Sequence, residues 1–382
     1  MTVVIAGGGT GGHVFPMIAV GDALKAVDPT ARVVYVGTAR GIEARVMPSR
    51  GDSLELLDIR PLRGSGLKGF MKGAYFAAAS IPSARRLIAK LGANAVLSVG
   101  GYAGGPVALA ARTLGIPVAL LEPNSVLGLS NRLLTPLVAR AYTAFPEVES
   151  ALRPSVIRRA GVPLRGAFSR KPYASSSDKV RILLLGGSQG AMALNETVPH
   201  ALRSLVKAGD ANSIELVHQT GRDRELDVRA LYTQLGLLDR VTVTPFIDDM
   251  ASALASADIV IGRSGASSLA ELCVIGRASI LIPYPFAADD HQLKNARSLE
   301  RAGAAIAIPQ SEATAARVAI EIDRLVKSPE LRARMAEAAA SLGKADAARD
   351  VAEDLLNLAR ASSSEQPNAP IEPNAPTEKE AR

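Results

Sequence analysis

The chain is poor in cysteine and aromatic residues: of 382 residues one is cysteine, none is tryptophan, and aromatics make up 4%. A single cysteine, Cys273, excludes an internal disulfide and a cysteine metal cluster, and its place in a helical-looking stretch predicts a packing role. No uninterrupted apolar run of about 18 residues occurs; the nearest, 95–121, is broken by glycines, prolines and Arg112, so no membrane-spanning helix is predicted. Met1 leads straight into the strand candidate Val3–Ala6 with no basic leader or cleavage site, which predicts a chain that stays in the cytoplasm. What is present is a 48% apolar chain with 33 glycines and 23 prolines, the composition of a soluble α/β protein rather than a disordered or fibrous one. At roughly 150 residues per domain, the length predicts two domains.

Acidic residues are missing altogether from Ile59 to Leu121, while Arg60, Arg63, Lys68, Lys72, Arg85, Arg86, Lys90 and Arg112 supply positive charge to a chain of net charge +7. Within this stretch Phe70, Met71, Tyr75 and Phe76 lie among the lysines. That pattern suits a helix lying on an anionic membrane surface, and equally a solvated helix with one buried face. No nucleic-acid recognition motif accompanies the charge, so no nucleic-acid partner is expected.

Short apolar runs alternate with helix-length segments, the pattern of βαβ units. Strands are expected at 3–6, 32–36, 54–57, 95–99, 117–121 and 140–145. After a polar stretch bearing proline and serine the pattern restarts at 181–185, 214–219, 240–244, 258–262, 279–283 and 304–309. Two Rossmann-like domains joined near 161–178 follow. Residues 313–360 should be helical, and the tail 361–382, which repeats PNAP, should be disordered.

Three glycine-rich loops follow apolar strands: GGGTGGH (7–13), GGYAGGP (100–106) and GGSQGA (186–191). Each could cradle phosphate at a helix N-terminus. The first fits the dinucleotide spacing, but the second strand is followed by Gly37 and Thr38, not by the acidic residue that a ribose requires. None ends in the Gly-Lys-Ser/Thr of a P-loop. The first loop carries His13. A lone histidine is ordinarily structural, yet at a glycine-lined turn it sits in the ligand cleft with a pKa near neutrality. In RSGASSLAE (263–271), Ser267 and Ser268 open a helix and Glu271 follows on its first turn, partly resembling capping chemistry. In DDHQLKNA (289–296), Asp289, Asp290, His291 and Gln292 offer hydrogen-bonding groups suited to sugar hydroxyls, or simply form a polar loop.

GGTGGHVFP (8–16), GGYAGGP, EPNSVLGLSNR (122–132), GGSQGA, FIDDM (246–250), RSGASSLAE and DDHQLKNA, in this order, resemble the MurG family of peptidoglycan glycosyltransferases, of glycosyltransferase family 28. The resemblance covers residues 3 to about 360. It implies a GT-B fold with a cleft between an acceptor domain (1–162), which associates with the membrane, and a donor domain (163–342). A helix at about 343–360 returns to the first domain. It implies transfer of N-acetylglucosamine from UDP-N-acetylglucosamine (UDP-GlcNAc) to the lipid-linked muramoyl-pentapeptide acceptor, lipid I, with inversion to a β-1,4 linkage. On the donor side the resemblance places Ser188, Gln189 and Gly190 near the diphosphate, Ile247 at the uracil and Glu271 at the ribose. Gln292, with His291 beside it, falls at the sugar, and Arg165 near the nucleotide. Ser267 and Ser268 stand where the family often has Leu-Thr. On the acceptor side fall Thr10, His13, Tyr102, Glu122 and Asn124, with Gly11 and Gly12 holding the acceptor diphosphate; Thr10, Gly11, Gly12 and Asn124 also border the donor. The family commonly reads His-Glu-Gln-Asn where this chain has Leu121, Glu122, Pro123 and Asn124, and Asn where Val162 stands. No histidine at 121 can act here.

The chemistry needs a base for the acceptor 4-hydroxyl, and His13 is the first candidate, Glu122 the second. The departing UDP needs positive charge, which the third loop's N–H groups, a helix dipole and Arg165 can supply. Neither a cofactor nor a metal is then required, and the chain contains no Asp-x-Asp pair. The resemblance implies that the stretch around 63–90 lies on the anionic inner leaflet, at the cytoplasmic face of the plasma membrane, and that other cell-wall synthesis proteins are partners. Rival readings are a UDP-N-acetylglucosamine 2-epimerase of the same fold, a nucleotide-sugar-binding regulator without catalysis, and a dinucleotide oxidoreductase.

Overall fold

Valine, isoleucine and leucine runs bounded by glycine turns build two parallel sheets. The computed structural model describes residues 1–58, 67–166, 168–174, 179–187, 190–207 and 214–365, with backbone alone at 67–78 and 363–365. Arg63, the side chains of the basic aromatic segment up to 78, and residues 366–382 therefore lie outside the described residues; residues 361–365, expected to begin a disordered tail, instead continue the last helix, Ala347–Glu365.

The first sheet holds β1 (Thr2–Ala6), β2 (Arg32–Gly37), β3 (Leu54–Leu56), β4 (Ala95–Ser98), β5 (Val118–Glu122), β6 (Arg140–Thr143) and β7 (Ile157–Arg158), in the order 3-2-1-4-5-6-7. Its helices are α1 (Gly11–Val27), α2 (Glu43–Ser49), α3 (Leu67–Leu91), α4 (Gly101–Thr113) and α5 (Leu129–Leu134). The second sheet holds β8 (Val180–Leu185), β9 (Ile214–Gln219), β10 (Val241–Thr244), β11 (Ile259–Gly262), β12 (Ala278–Leu281) and β13 (Ala305–Ala307), in the order 10-9-8-11-12-13. With it come α6 (Met192–Lys207), α7 (Glu225–Leu235), α8 (Met250–Ser256), α9 (Ala266–Ile275), α10 (His291–Arg301), α11 (Ala315–Lys327) and α12 (Pro329–Leu342), and the last helix is α13 (Ala347–Glu365).

Successive residues of each central strand serve opposite faces, which is why the strands are apolar throughout. Val4, Ala6, Val34 and Val96 pack under Ile88 of α3 and Val107 of α4. Their neighbours Val3, Ile5, Tyr35 and Leu97 pack under Met17 and Ile18 of α1 and Leu355 and Leu356 of α13. The last helix thus lies on the first sheet, where Asp354 accepts from the Tyr142 hydroxyl at 2.8 Å and from Arg140 Nε at 3.1 Å. The linker is bound to the second domain: Arg277 donates to the Lys171 carbonyl at 2.7 Å, and the Tyr173 hydroxyl donates to Asp258 at 2.8 Å while accepting from Arg332 Nε at 2.8 Å.

Candidate active site

In each sheet the strand order reverses beside the first strand, between β1 and β4 and between β8 and β11. Such switch points open a crevice at the carboxyl ends of the strands. All three glycine loops lie at these ends. In the first domain the two loops stack backbone against backbone: Gly101 has φ +73°, and a Cβ there would stand 2.5 Å from the Gly8 carbonyl oxygen. Thr10 precedes α1 as its N-cap without a side-chain hydrogen bond, leaving the first N–H groups at Gly11 and Gly12 without a cap. Tyr102, 40% exposed, borders Gly9.

His13 is the third residue of α1, and its Nδ1 lies 3.2 Å from the Gly8 carbonyl oxygen. A carbonyl only accepts, so Nδ1 carries the proton of the neutral ring and Nε2 keeps its lone pair. Nε2 borders Gly100, where a Cβ would stand 3.5 Å from it, in ordinary van der Waals contact. Burial lowers the His13 pKa below 6.5, against the opposing pull of Glu122, the Gly8 carbonyl and Glu43; His291, from the second domain, adds to the lowering. The imidazole is therefore neutral at physiological pH. Glu122 ends β5 fully committed: its carboxylate accepts from Asn124 N (3.1 Å) and Nδ2 (3.3 Å), Gly128 N (3.0 Å) and Asn131 Nδ2 (3.1 Å). It organises the loop that carries Asn124. Leu121 is buried in the core.

In the second domain Ser188 and Gln189 lie outside the described residues. Their loop is held from both sides: Gln219 accepts from Gly187 N and donates to Gly187 O, each at 3.0 Å, and Gly190, at φ +77°, lies so close to Thr220 that a Cβ would come within 2.4 Å of its carbonyl oxygen. The expected capping chemistry in RSGASSLAE needs correction. Helix α9 starts at Ala266 after Gly265 with no side-chain cap, so Glu271 is its sixth residue, on the second turn. The uncapped N-terminus leaves N–H groups for an anion, with the Ser267 hydroxyl buried and unpartnered and Ser268 exposed. Burial pushes the Glu271 carboxyl up to about 7, opposed by Arg165. The Arg165 guanidinium lies 4.1 Å over the Phe15 ring of α1, a contact that joins the domains. Ile247, half-buried, follows β10.

Asp289 and Asp290 take left-handed backbone angles, φ 52° and 53°, and turn the chain into α10. Gln292 accepts from Tyr284 N at 3.1 Å through its side-chain oxygen, leaving its amide N–H groups for a ligand, and His291 Nδ1 donates to the Ala288 carbonyl at 2.8 Å. Asn295, fully buried, joins the domains: its oxygen accepts from Ser125 N at 2.8 Å, and its amide donates to Asn124 Oδ1 and the Ser264 carbonyl, each at 3.2 Å. Three residues escaped the sequence reading: Asn295, Gln219 and Glu43. The only sequence trace of Asn295 is its place in DDHQLKNA. Glu43 opens α2 fully buried and accepts from Gly9 N (2.9 Å), Thr38 N (2.9 Å) and Thr38 Oγ (3.1 Å). His218 is the opposite case, a buried histidine between Tyr232 and Asn195 whose pKa burial lowers to about 3, a structural group.

Two Rossmann-like domains that present glycine loops and switch points to a common cleft define the GT-B class of nucleotide-sugar enzymes, which includes transferases and epimerases. The description "Glycosyltransferase family 28 N-terminal domain" matches residues 3–143, and "Glycosyltransferase family 28 C-terminal domain" matches residues 181–353. A UDP-N-acetylglucosamine--N-acetylmuramyl-(pentapeptide) pyrophosphoryl-undecaprenol N-acetylglucosamine transferase from Sorangium cellulosum (strain So ce56) is 66% identical over 364 residues, 94% of this chain and 89% of that protein. The crystal structure of Acinetobacter baumannii MurG aligns with a TM-score of 0.78 at 32% identity, covering 93% of this chain and 99% of that one. A putative UDP-N-acetylglucosamine 2-epimerase from Listeria monocytogenes, at 17% identity and a TM-score of 0.65 over 96% of this chain and 97% of that one, shares the fold alone. The chain belongs to glycosyltransferase family 28.

Proposed function

We propose that this chain transfers N-acetylglucosamine from UDP-GlcNAc to the muramoyl 4-hydroxyl of lipid I, forming the β-1,4-linked disaccharide of lipid II. The acceptor oxygen attacks C1 of the sugar from the face opposite UDP. The O4–C1 bond forms, the bond from C1 to the diphosphate oxygen breaks, and the hydroxyl proton passes to His13 Nε2. The observation that carries this reading is the His13 ring itself: neutral, tied through Nδ1–H to Gly8, its bare Nε2 beside Gly100.

The uncapped α9 N-terminus and the Gly187–Gly190 loop stabilise the charge gathering on the departing diphosphate. Glu271 takes the ribose hydroxyls, Ile247 the uracil, and Gln292 with His291 the sugar. The first loop, with Thr10, Gly11 and Gly12, holds the acceptor diphosphate, and Tyr102 and Asn124 border it. Glu122 acts by shaping the loop around Asn124. The acid-free basic stretch around residues 63–90 supports docking on the anionic inner leaflet, at the cytoplasmic face of the membrane, where the acceptor's polyprenyl chain resides. Among the described residues no helix is long and apolar enough to cross a membrane.

The test is transfer of radiolabelled N-acetylglucosamine to a short-chain lipid I analogue by wild type and His13→Ala. The expected result is transfer by wild type and a loss of about a hundredfold or more in the variant, with UDP-GlcNAc affinity unchanged. A folded wild type that transfers nothing and instead epimerises the donor at C2 would replace this reading with the isomerase.

A further inference from the structure

We infer that Glu43 is a positioning residue for this transfer, acting on His13 through the Gly8–Gly9 peptide. Gly8 supplies the carbonyl of that peptide and Gly9 its N–H. Glu43 Oε2 accepts the N–H at 2.9 Å, and His13 Nδ1–H donates to the carbonyl at 3.2 Å. Carboxylate, peptide and imidazole thus form one hydrogen-bonded relay. A carboxylate on the N–H strengthens the carbonyl as an acceptor, because hydrogen bonds in series polarise one another. A stronger carbonyl holds the proton on Nδ1 and keeps Nε2 bare, the role a carboxylate usually plays by touching the imidazole directly.

The surroundings are built around this group. A Cβ at Gly8, Gly37 or Gly41 would come within 2.2, 2.5 or 2.0 Å of Glu43 side-chain atoms, so three glycines leave it space. A buried carboxylate is costly unless donors meet it, and Thr38 supplies two to Oε1 while Gly9 takes Oε2. Its position is also telling. The fingerprint of a dinucleotide site wants an acid after the second strand to reach outward to a ribose; here the acid that follows β2 turns inward under the loop.

The relay rests on the reading of His13 as base, and the experiment separates the two. Nitrogen-15 NMR of the full-length protein, with the four histidines labelled and His13 assigned by its loss in His13→Ala, reports the tautomer directly. Wild type should show His13 neutral with Nδ1 protonated; an Nε2–H ring overturns the relay with no variant needed. Glu43→Gln should give a mixture of tautomers and a fall of at least tenfold in kcat, with UDP-GlcNAc affinity within twofold and acceptor KM within threefold. The acid limb of its kcat profile should move to lower pH, since Glu122 and His291, the other charged or titratable groups facing His13, are untouched. A Glu43→Gln enzyme with wild-type kcat and a single Nδ1–H tautomer overturns the proposal. Should His13→Ala keep its rate, the base reading falls while the tautomer result still decides the relay.

Discussion

Glu271 carries a carboxyl pushed up to about 7 by burial, and the ribose role proposed for it predicts donor binding that depends on pH in a defined direction. Ribose hydroxyls donate, so they bind the ionised form better than the protonated one. Below pH 7 the free site is mostly protonated, and binding must first release that proton. Affinity for UDP-GlcNAc is expected to be level above pH 8 and to weaken on acidification through 7, approaching about tenfold per pH unit in the limit where only the carboxylate binds. UDP-GlcNAc is the right probe, because its diphosphate is esterified at both ends and does not titrate in this range, whereas that of UDP does. Glu271→Gln should bind more weakly at pH 8 and show no slope. Calorimetry from pH 5.5 to 8.5 decides it, and a flat wild-type profile removes Glu271 from the ribose.

The glycine loops are elements in their own right, and their tightest contact is backbone on backbone. At Gly101 an added methyl meets the Gly8 carbonyl oxygen, which no rotamer change can move aside, and φ +73° strains any side chain there. Gly101→Ala should therefore part the two loops of the first domain and shift His13, lowering kcat/KM for the acceptor at least tenfold while UDP-GlcNAc affinity stays within twofold; equal loss of donor binding would show that the loops serve the donor instead. The elements were largely legible in the sequence. Twelve strands appear within two residues of their expected ends, because doubly covered parallel strands must be continuously apolar. The two-residue β7 was missed, having no run to announce it. The first loop was singled out from His13 among glycines, and the structure places it at the switch point of the first sheet. Glu43 was not, since one carboxylate at the start of a helix has the same local pattern as a solvated residue. The burial that sets it apart comes from three glycines at positions 8, 37 and 41, brought together only by the fold. Glu122 was named only through the family resemblance, as an acceptor-side residue and second candidate base; the expected strand stopped at 121, and the four donors that occupy its carboxylate come from a loop whose closure no local pattern specifies.

At the scale of the whole molecule, the proposed reaction requires the two domains to meet with the donor sugar C1 near His13, and the contacts that join them differ in what they are worth. Behind the cleft, the chain at Gly161–Val162 and at Leu342–Lys344 lines a cavity of about 460 Å³ with Phe145 and Leu269. Across the cleft, Arg132 and Asp289 approach to 3.8 Å with side chains 55% and 58% exposed, a pair that solvent screens to about 0–1 kcal/mol. Asn295 is different: buried completely, it joins Ser125 and Asn124 of the first domain to Ser264 of the second. Any separation of the domains would break the bonds to Ser125 and Asn124, so this side chain favours the arrangement in which they meet. Removing it costs about 1–3 kcal/mol, the worth of buried hydrogen bonds left unmade. Each 1.4 kcal/mol is a factor of ten, so Asn295→Ala should lower kcat/KM about 5- to 150-fold. UDP-GlcNAc affinity should change less than threefold, because the donor groups other than Asn124 and the first-loop residues belong to the second domain and stay in place. Arg132→Ala, by the same reasoning, should stay within about fivefold of wild type. Steady-state kinetics of the two variants, paired with small-angle scattering of the UDP-GlcNAc complexes, test the difference: Asn295→Ala should scatter as the more open particle. Full activity in Asn295→Ala would mean that the productive closed state is held by other contacts, leaving the Arg165–Phe15 stack as the interdomain contact to test next.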